Sequence, residues 1–380
     1  MIKGKITSLF LASIMALGTI NTSYIAHANT TSEVSRISNI SGTITTNKYP
    51  KISNISENTI LGADFSNYQQ DLIWGKTYKD YKNNDISDTL FDFVKSQGIN
   101  TISVKVSTDD ESIISLENAI KTLKEAQKSG LKTNMVLLYS DEMTYGNKQD
   151  LPKTWVNEND ITTKACDYTK NVLEQLEKAD VKLDILTIGN EVNYNFLGYE
   201  GESAYKGWEA MAKIASIAQE KGIKVSASIF QEKTPEDIKW VLQKLNEDYL
   251  GVDFDYIGVN IYPTDNTVSY INDMRKAFEE EEKSAGKNTQ LYISSIKYAR
   301  QDNEGSASIY SQANSIYEAL EAGISENNAG GLVYTEAENV GSWTSFFDND
   351  GKAVQSLSIF ALAKGLNVDN EVEEEEKDPY

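Results

Sequence analysis

The amino-acid sequence predicts an α/β protein built as one (β/α)₈ barrel. Apolar, β-rich segments alternate with helical segments, which implies parallel strands joined by crossover helices. Eight such units within about 300 residues favour a closed TIM barrel over an open doubly wound sheet. No glycine-rich phosphate loop follows a strand candidate, which argues against a nucleotide-binding sheet. The strand candidates are 60–65, 101–106, 134–139, 184–189, 224–229, 255–261, 290–296 and 331–335.

The clearest helix–strand unit lies between residues 114 and 139. Apolar residues in 114–128 recur mostly at three- and four-residue steps, the pattern of an amphipathic helix. Gly130 stands where a helix commonly ends in a left-handed residue, and the strand candidate 134–139 follows. Comparable glycine-containing turns precede later strand candidates, at 96–99, 220–223 and 321–323.

The first 28 residues have the pattern of a secretory signal peptide. Lys3 and Lys5 form a basic start, a short apolar stretch follows, and Ala26-His27-Ala28 fits the small-x-small cleavage pattern. The apolar stretch is too short for a membrane-spanning helix, and no later segment approaches about 20 apolar residues. We therefore expect a secreted, extracellular protein, cleaved near Ala28, without a membrane span.

The remaining chain is predicted to hold one folded domain between two irregular segments. Residues 29–58 are rich in Ser, Thr and Asn without a sustained hydrophobic period, so we expect a flexible leader. Residues 59–367 carry all the strand candidates and form the predicted barrel. Residues 368–380 include the run Glu373–Glu376 and are predicted to be a disordered acidic tail.

Composition excludes several kinds of chemistry and partner. A net charge of −21 disfavours nucleic acid and anionic membranes, because both would be repelled. His27, the only histidine, leaves with the signal peptide, so Ser–His triads and the usual zinc sites are excluded. Cys166 is the only cysteine and cannot form an internal disulfide. We predict neither a cofactor nor a metal, and acid–base chemistry is left to carboxylates.

Candidate site residues lie at the carboxyl ends of the strand candidates, where barrels of this kind carry their active sites. In Leu186-Thr-Ile-Gly-Asn-Glu191, an apolar strand runs directly into Asn190 and Glu191. In many retaining glycosidase barrels, a Glu after the fourth strand is the acid/base. Polar groups among aromatic rings suit a sugar, since its hydroxyls need hydrogen bonds and its ring faces stack. The predicted substrate-binding residues are Asp64, Tyr139, Asp141, Asn190, Tyr262, Glu336 and Trp343.

An ordered set of short motifs resembles the arabinogalactan endo-β-1,4-galactanases, glycoside hydrolase family 53 of clan A. Gly62-Ala-Asp-Phe-Ser66 is similar to the opening motif of that family, and Gly189-Asn-Glu191 to its acid/base motif. Tyr334-Thr-Glu336 matches the eighth strand in part. The resemblance covers residues from about 60 to about 360 and implies a barrel, an acid/base role for Glu191 and a β-1,4-galactan ligand. Further motifs in the same order are 139–141, 146–155, 255–263 and 347–357.

The sequence also departs from the family pattern. The family nucleophile is a Glu three residues before a Tyr on the seventh strand, and Ser295 occupies that position before Tyr298. No Asp or Glu lies between Lys287 and Gln301, so a shifted alignment does not restore the carboxylate. A retaining glycosidase needs two carboxyl groups about 5–5.5 Å apart, and a neutral serine is a poor nucleophile without a base. Further departures are Leu138 for His and Lys105 for Arg.

Three functions are compatible with this sequence. The first is a secreted, degenerate glycoside hydrolase, a pseudoenzyme that binds a polysaccharide or oligosaccharide such as β-1,4-galactan without efficient hydrolysis. The second is an active hydrolase with a rearranged carboxylate pair, for which Glu336 is the best candidate. The third is an extracellular interaction protein that uses the barrel as a scaffold. The oligomeric state is not predicted. The other substitute carboxylates are Asp141, Asp265 and Glu304.

Overall fold

The computed structural model describes residues 44, 48–246, 252–300, 308–324 and 330–368. The predicted signal peptide, almost all of the predicted acidic tail and most of the predicted leader lie outside the described residues, as does Glu304. Within the described ranges, no helix is both long and apolar enough to cross a membrane.

Eight parallel strands close into one barrel, which confirms the predicted fold. The strands pair in chain order, and Ile60 on the first strand pairs with Gly331 on the last to complete the ring. The strands are β1 Ile60–Asp64, β2 Thr101–Val106, β3 Lys132–Leu137, β4 Ile185–Ile188, β5 Lys224–Phe230, β6 Tyr256–Asn260, β7 Gln290–Ile296 and β8 Gly331–Tyr334.

Helices connect the strands and cover the outside of the barrel. The predicted helix 114–128 begins two residues later than expected, because the Ser115 hydroxyl caps it by accepting a hydrogen bond from the backbone N–H of Asn118. The helices are α1 Tyr68–Ile73, α2 Leu90–Ser96, α3 Leu116–Lys128, α4 Ile161–Lys178, α5 Ala204–Gln219, α6 Pro235–Leu245, α7 Thr267–Ala285, α8 Ile309–Gly323 and α9 Ile359–Ala363. A short antiparallel hairpin, Asn195–Phe196 with Tyr199–Glu200, follows β4.

The inside of the barrel changes from apolar to polar along its axis. The main core lies between strands and helices, while a separate buried cluster fills the amino-terminal part of the interior. Successive residues of a strand face opposite sides of the barrel wall. Toward the carboxyl ends of the strands, the side chains that face inward are mostly polar. The interior cluster consists of Ile60, Ile185, Tyr256, Tyr292 and Val333.

Part of the segment predicted to be a flexible leader packs against the barrel. The Tyr49 hydroxyl donates to Asn314 Oδ1 at 2.5 Å, and the Tyr317 hydroxyl donates to the carbonyl of Pro50 at 2.9 Å. Ile52 is buried, and its backbone N–H donates to the carbonyl of Ala363 at 2.9 Å. The packed domain therefore begins before the predicted boundary at residue 59. Single side chains anchor this segment, and such anchoring leaves no hydrophobic period in the sequence.

Gly98 is expected to be essential for the connection between α2 and β2. Its φ is +96°, and an added Cβ would lie 2.3 Å from the backbone nitrogen of Ala361 in α9. We expect Gly98→Ala to lower the free energy of unfolding by about 2–5 kcal/mol, the sum of backbone strain and overpacking. Urea unfolding followed by circular dichroism measures the loss.

Gly222→Ala is the matched control for this substitution. Gly222 also has a positive φ, +73°, but an added Cβ would meet no atom within 4 Å. Only the conformational cost of about 1–2 kcal/mol is expected there. Equal losses for the two variants would contradict the contact with α9 as the main cause.

Candidate functional site

A polar recess opens at the carboxyl ends of the barrel strands. The prediction placed the site at this end, and three of the predicted residues, Asp64, Asn190 and Ser295, line the recess directly. Nearly every barrel strand contributes to the lining. The lining residues are Asp64, Ser103, Lys105, Asn134, Val136, Thr187, Asn190, Ser228, Asn260, Tyr292, Ser294, Ser295 and Val333.

Glu191 is held at the edge of this recess by donors from two other loops and a strand. Its Oε2 accepts from the backbone N–H of Gly146 at 2.5 Å, and its Oε1 accepts from Asn260 Nδ2 at 2.9 Å and from the Tyr262 hydroxyl. Glu191 has a φ of +60°, a conformation that costs a non-glycine residue about 1–3 kcal/mol and is common at functional sites. Both oxygens of this buried carboxylate are therefore fixed in place.

Asn260, at the end of β6, joins the fourth strand to the seventh. Its amide nitrogen donates to Asn190 Oδ1 at 3.0 Å as well as to Glu191. Its amide oxygen accepts from the Ser294 hydroxyl at 2.8 Å. Asn260 was not among the predicted site residues. Its position as a polar residue at the end of an apolar strand could have identified it.

Ser295 lies inside the recess because β7 carries a bulge. Val259 of β6 pairs with Ile293, but the next residue, Asn260, pairs with Ser295, so Ser294 is the additional residue. Both serines consequently line the recess. The Ser295 hydroxyl forms a 2.6 Å hydrogen bond with the Thr335 hydroxyl. The position predicted for the nucleophile thus holds a pair of neutral hydroxyls.

Asp64 and Lys105 form a buried ion pair in the recess. The other oxygen of Asp64 accepts from the backbone N–H of Ser66 at 3.0 Å and from its hydroxyl. Burial alone would lower the pKa of Lys105, but chiefly the carboxylate of Asp64 holds it above its ordinary value. Lys105 therefore keeps its positive charge, and the ion pair as a whole adds no net charge to the recess.

Glu336 follows β8 and is paired with Lys297, the residue directly after β7. Lys297 Nζ lies 2.7 Å from Glu336 Oε2, and both side chains are about one-third exposed, at 32% and 33%. Glu336 also has a positive φ, +55°. The pair lies within reach of solvent, and its geometry leaves the second oxygen of Glu336 open to a ligand.

Glu338 is a fully buried carboxyl group that sequence reasoning did not select. Its Oε1 accepts from the backbone N–H of Asn67 at 2.6 Å, whereas Oε2 has no hydrogen-bond partner among the described residues. Burial, and then the nearby carboxylates of Asp64 and Asp71, raise the pKa of Glu338 well above its ordinary value. The raised pKa favours the neutral carboxylic acid over the carboxylate at this position.

Three predicted substrate-binding residues are placed differently from the rest. Tyr139 points away from the recess, with its buried ring against Tyr168 and Phe196 and its hydroxyl 2.9 Å from Thr169 Oγ1 on α4. Tyr139 has a positive φ, +54°, a backbone conformation that hydrophobic pattern does not predict. Leu138, the preceding residue, is instead buried in a small apolar cluster with Ile114 and Val136, of which Val136 lines the recess.

Asp141 and Trp343 are the other two. Asp141 joins loops, since Oδ1 accepts from the Thr108 hydroxyl at 2.7 Å and Oδ2 from the backbone N–H of Lys153 at 2.9 Å. Trp343 is 59% exposed, and its backbone carbonyl accepts from the backbone N–H of Arg300 at 2.8 Å. Neither side chain lines the recess in this structure.

Two exposed tyrosines flank Glu191. Tyr262 is 58% exposed although its hydroxyl contacts Glu191, and Tyr145, beside Gly146, is 50% exposed. Burial of the hydroxyl end of Tyr262 and the neighbouring carboxylate raise the pKa of Tyr262, so it stays a hydrogen-bond donor across the physiological range. Tyr262, fixed at its hydroxyl end, suits stacking against an amphipathic ligand, whereas Lys148 Nζ lies 5.7 Å from the centroid of the Tyr145 ring and covers one of its faces.

Comparisons with known proteins agree with this architecture. The profile of glycosyl hydrolase family 53 matches residues 60–333. The arabinogalactan endo-beta-1,4-galactanase of Cellvibrio japonicus is 27% identical over 228 residues, which are 55% of this chain and 59% of that enzyme. The corresponding enzyme of Thermothelomyces thermophilus is 23% identical over 338 residues, 80% of this chain and 98% of that enzyme.

Solved structures show the same fold. The GH53 catalytic domain from Ignisphaera aggregans superposes with a TM-score of 0.71 at 21% identity, covering 83% of this chain and 99% of that domain. A structure from a study of two fungal beta-1,4-galactanases gives a TM-score of 0.70 at 20% identity, covering 79% and 98%. At this level of identity, the superpositions concern the fold alone.

Glu338→Gln is expected to stabilise the protein in a pH-dependent way. Because the folded-state pKa of Glu338 is raised, the stability it contributes is complete below its unfolded pKa and is lost as pH rises through the folded value. Glutamine has no such loss. We expect the variant to exceed the wild type by about 1–3 kcal/mol in free energy of unfolding at pH 8, and to match it at pH 4.

Urea unfolding at both pH values measures this difference. Glu111→Gln is the control, since Glu111 is solvent-exposed and its replacement should shift stability little at either pH. A Glu338→Gln curve parallel to that of the wild type at every pH would show that Glu338 is ionised in the folded protein.

Proposed function

Because the chain belongs to glycosyl hydrolase family 53, we propose that it binds a β-linked, galactan-type glycan at the barrel mouth without efficient hydrolysis. One observation carries the proposal. Across Asn260 from Glu191, the seventh strand presents two neutral hydroxyl groups, those of Ser294 and Ser295, at the position predicted for the nucleophile.

The hydroxyl of Ser295 is poorly suited to replace a carboxylate nucleophile. Its partner among the described residues is the hydroxyl of Thr335, which is not a base at neutral pH. A neutral oxygen does not stabilise a developing oxocarbenium ion by charge, and each 1.4 kcal/mol of barrier is about a tenfold loss of rate. Binding without turnover is the expected result.

The other carboxyl groups near the recess are already engaged. Asp64 is paired with Lys105 and Ser66, and Glu338 is buried without exposure to the recess. Glu336 is the exception, because it is partly exposed and contacts Lys297 through one oxygen only. Glu336 therefore favours a rearranged hydrolase as the second candidate function, with Glu191 and Glu336 as its carboxylate pair.

The same groups form a surface suited to a neutral sugar. Asn190, Asn260 and the two serines of β7 offer donors and acceptors for hydroxyl groups, and Tyr145 and Tyr262 offer exposed ring faces. Two ion pairs, Lys105–Asp64 and Lys297–Glu336, each combine one positive and one negative charge. The recess therefore has no excess of positive charge to attract an acidic polymer. A predicted signal peptide and a polysaccharide ligand together support a role outside the cell.

Titration of the protein with β-1,4-linked galactose oligomers tests the binding. We expect measurable heat for the wild type, with no reducing ends released at high protein concentration. Tyr262→Ala should weaken the affinity about tenfold because it removes a stacking face, whereas Tyr262→Phe keeps the ring and should stay within about threefold. Absence of heat with an intact fold would favour the scaffold function, and release of reducing ends would favour the hydrolase.

Placing a carboxylate on the seventh strand tests the proposed reason for inefficient hydrolysis. We expect Ser295→Glu to release reducing ends from β-1,4-galactan at least about tenfold faster than the wild type. The double variant Ser295→Glu/Glu191→Gln should return to the wild-type background, because the acid/base is then lost. A wild-type rate that is abolished by Glu336→Gln would contradict this account.

A further inference from the structure

Two exposed aromatic rings stack on each other beside the barrel mouth. Tyr194, in the loop after β4, and Trp240, on α6, have ring centroids 5.6 Å apart and an interplanar angle of 28°. They are 38% and 42% exposed. Burial of the rest of each ring stabilises the fold, and the exposed part remains available to a ligand.

The two rings are held rigidly from below. Trp208 contacts Trp240 edge to face, with centroids 5.6 Å apart, and Phe230 contacts Tyr194 at 6.0 Å. Rings that are supported on one side and exposed on the other lose little conformational entropy when a ligand binds.

A buried polar pair fixes the loop that carries Tyr194. Asn193 is fully buried, donates to Glu232 Oε1 at 2.6 Å and accepts from the backbone N–H of Phe230 at 2.8 Å. Burial, and then the nearby Glu232 carboxylate, raise the pKa of the Tyr194 hydroxyl to about 12. The loop and β5 therefore move as one unit, and the position of Tyr194 is set by the barrel.

The stacked rings lie close to the proposed glycan site. Tyr194 is only three residues after Glu191, so their Cα atoms are at most about 11 Å apart. That separation is within the length of a short oligosaccharide. A chain bound at Glu191 can therefore extend to the rings on the side of the barrel formed by β4 and β5.

The charge around the rings selects the kind of ligand. The carboxylates of Glu232 and Asp237 lie near the Tyr194 hydroxyl, whereas Glu236, in the same first turn of α6, is paired with Lys239 at 3.2 Å. An acidic polymer would be repelled by these groups, and the net charge of −21 adds to that repulsion. An uncharged sugar has hydroxyl groups for the carboxylates and ring faces for Tyr194 and Trp240.

We propose that Tyr194 and Trp240 form an outlying platform that binds a distal pyranose of the same neutral glycan held at Glu191. The proposal rests on the proposed function and adds a second contact region to it. The platform makes affinity depend on chain length, since only longer oligomers reach both regions.

Calorimetric titration with a disaccharide and a hexasaccharide of β-1,4-linked galactose tests the platform. We expect the wild type to bind the hexasaccharide about tenfold more tightly than the disaccharide. Trp240→Ala and Tyr194→Ala should each remove that difference and leave disaccharide affinity unchanged, while Trp240→Phe should keep most of it. Tyr205→Ala is the control, since Tyr205 is 46% exposed on the neighbouring helix α5 and makes no ring contact among the described residues.

The outcomes separate this proposal from the previous one. Equal affinity of the wild type for both oligomers, or a length dependence that survives in both alanine variants, would overturn the platform and leave the proposed function standing. Failure of the wild type to bind either oligomer would overturn the proposed function itself. Thermal unfolding of each variant shows whether it is folded, and Trp240→Phe provides the comparison if an alanine variant is not.

Discussion

The side-chain amide of Asn260 holds the barrel mouth together. A single amide group can donate and accept at once, and here it donates to Glu191 and Asn190 while it accepts from Ser294. These contacts bridge the ends of β4, β6 and β7, and the Tyr262 hydroxyl adds a second contact between the loop after β6 and Glu191. Buried networks of this kind are rigid when every member is satisfied. The position of Glu191 is therefore a property of the whole mouth.

The carboxyl groups at the barrel mouth are each compensated by a neighbouring group or by burial. Lysines accompany Asp64 and Glu336, backbone, amide and hydroxyl donors surround Glu191, and burial raises the pKa of Glu338. An isolated buried carboxylate would be costly, because its charge is removed from water without compensation. The pairing leaves a surface with many hydrogen-bonding groups and little net charge, the character that an uncharged polyhydroxylated ligand requires.

The fold was predictable from the sequence, and the site only in part. Eight strand segments and their order along the chain follow from hydrophobic pattern, and the parallel alternation then admits few topologies. Asp64, Asn190 and Glu191 were found because polar residues end apolar strands at one edge. The pattern does not reveal side-chain direction where φ becomes positive, so Tyr139 was expected at the site although its ring lies in the core.

Other features depend on contacts between distant parts of the chain. Glu338 belongs to a polar loop in sequence and becomes fully buried only when the segment after β8 folds over α1's first residues. Tyr49 and Ile52 are isolated apolar residues in a polar stretch, and their packing partners lie more than 250 positions later in the chain. A local hydrophobic period in the sequence does not reveal contacts between distant residues. The predicted boundary of the folded domain was therefore placed too late.

The bulge in β7 gives one inward position of the barrel two neighbouring side chains instead of one. Ser294 supports the framework through Asn260, whereas Ser295 contacts only a hydroxyl of the adjacent strand among the described residues. The residue that holds Asn260 and the residue at the position predicted for the nucleophile are therefore different. Residue 295 can therefore be replaced without removing the contact that holds Asn260 and, through it, Glu191 in position.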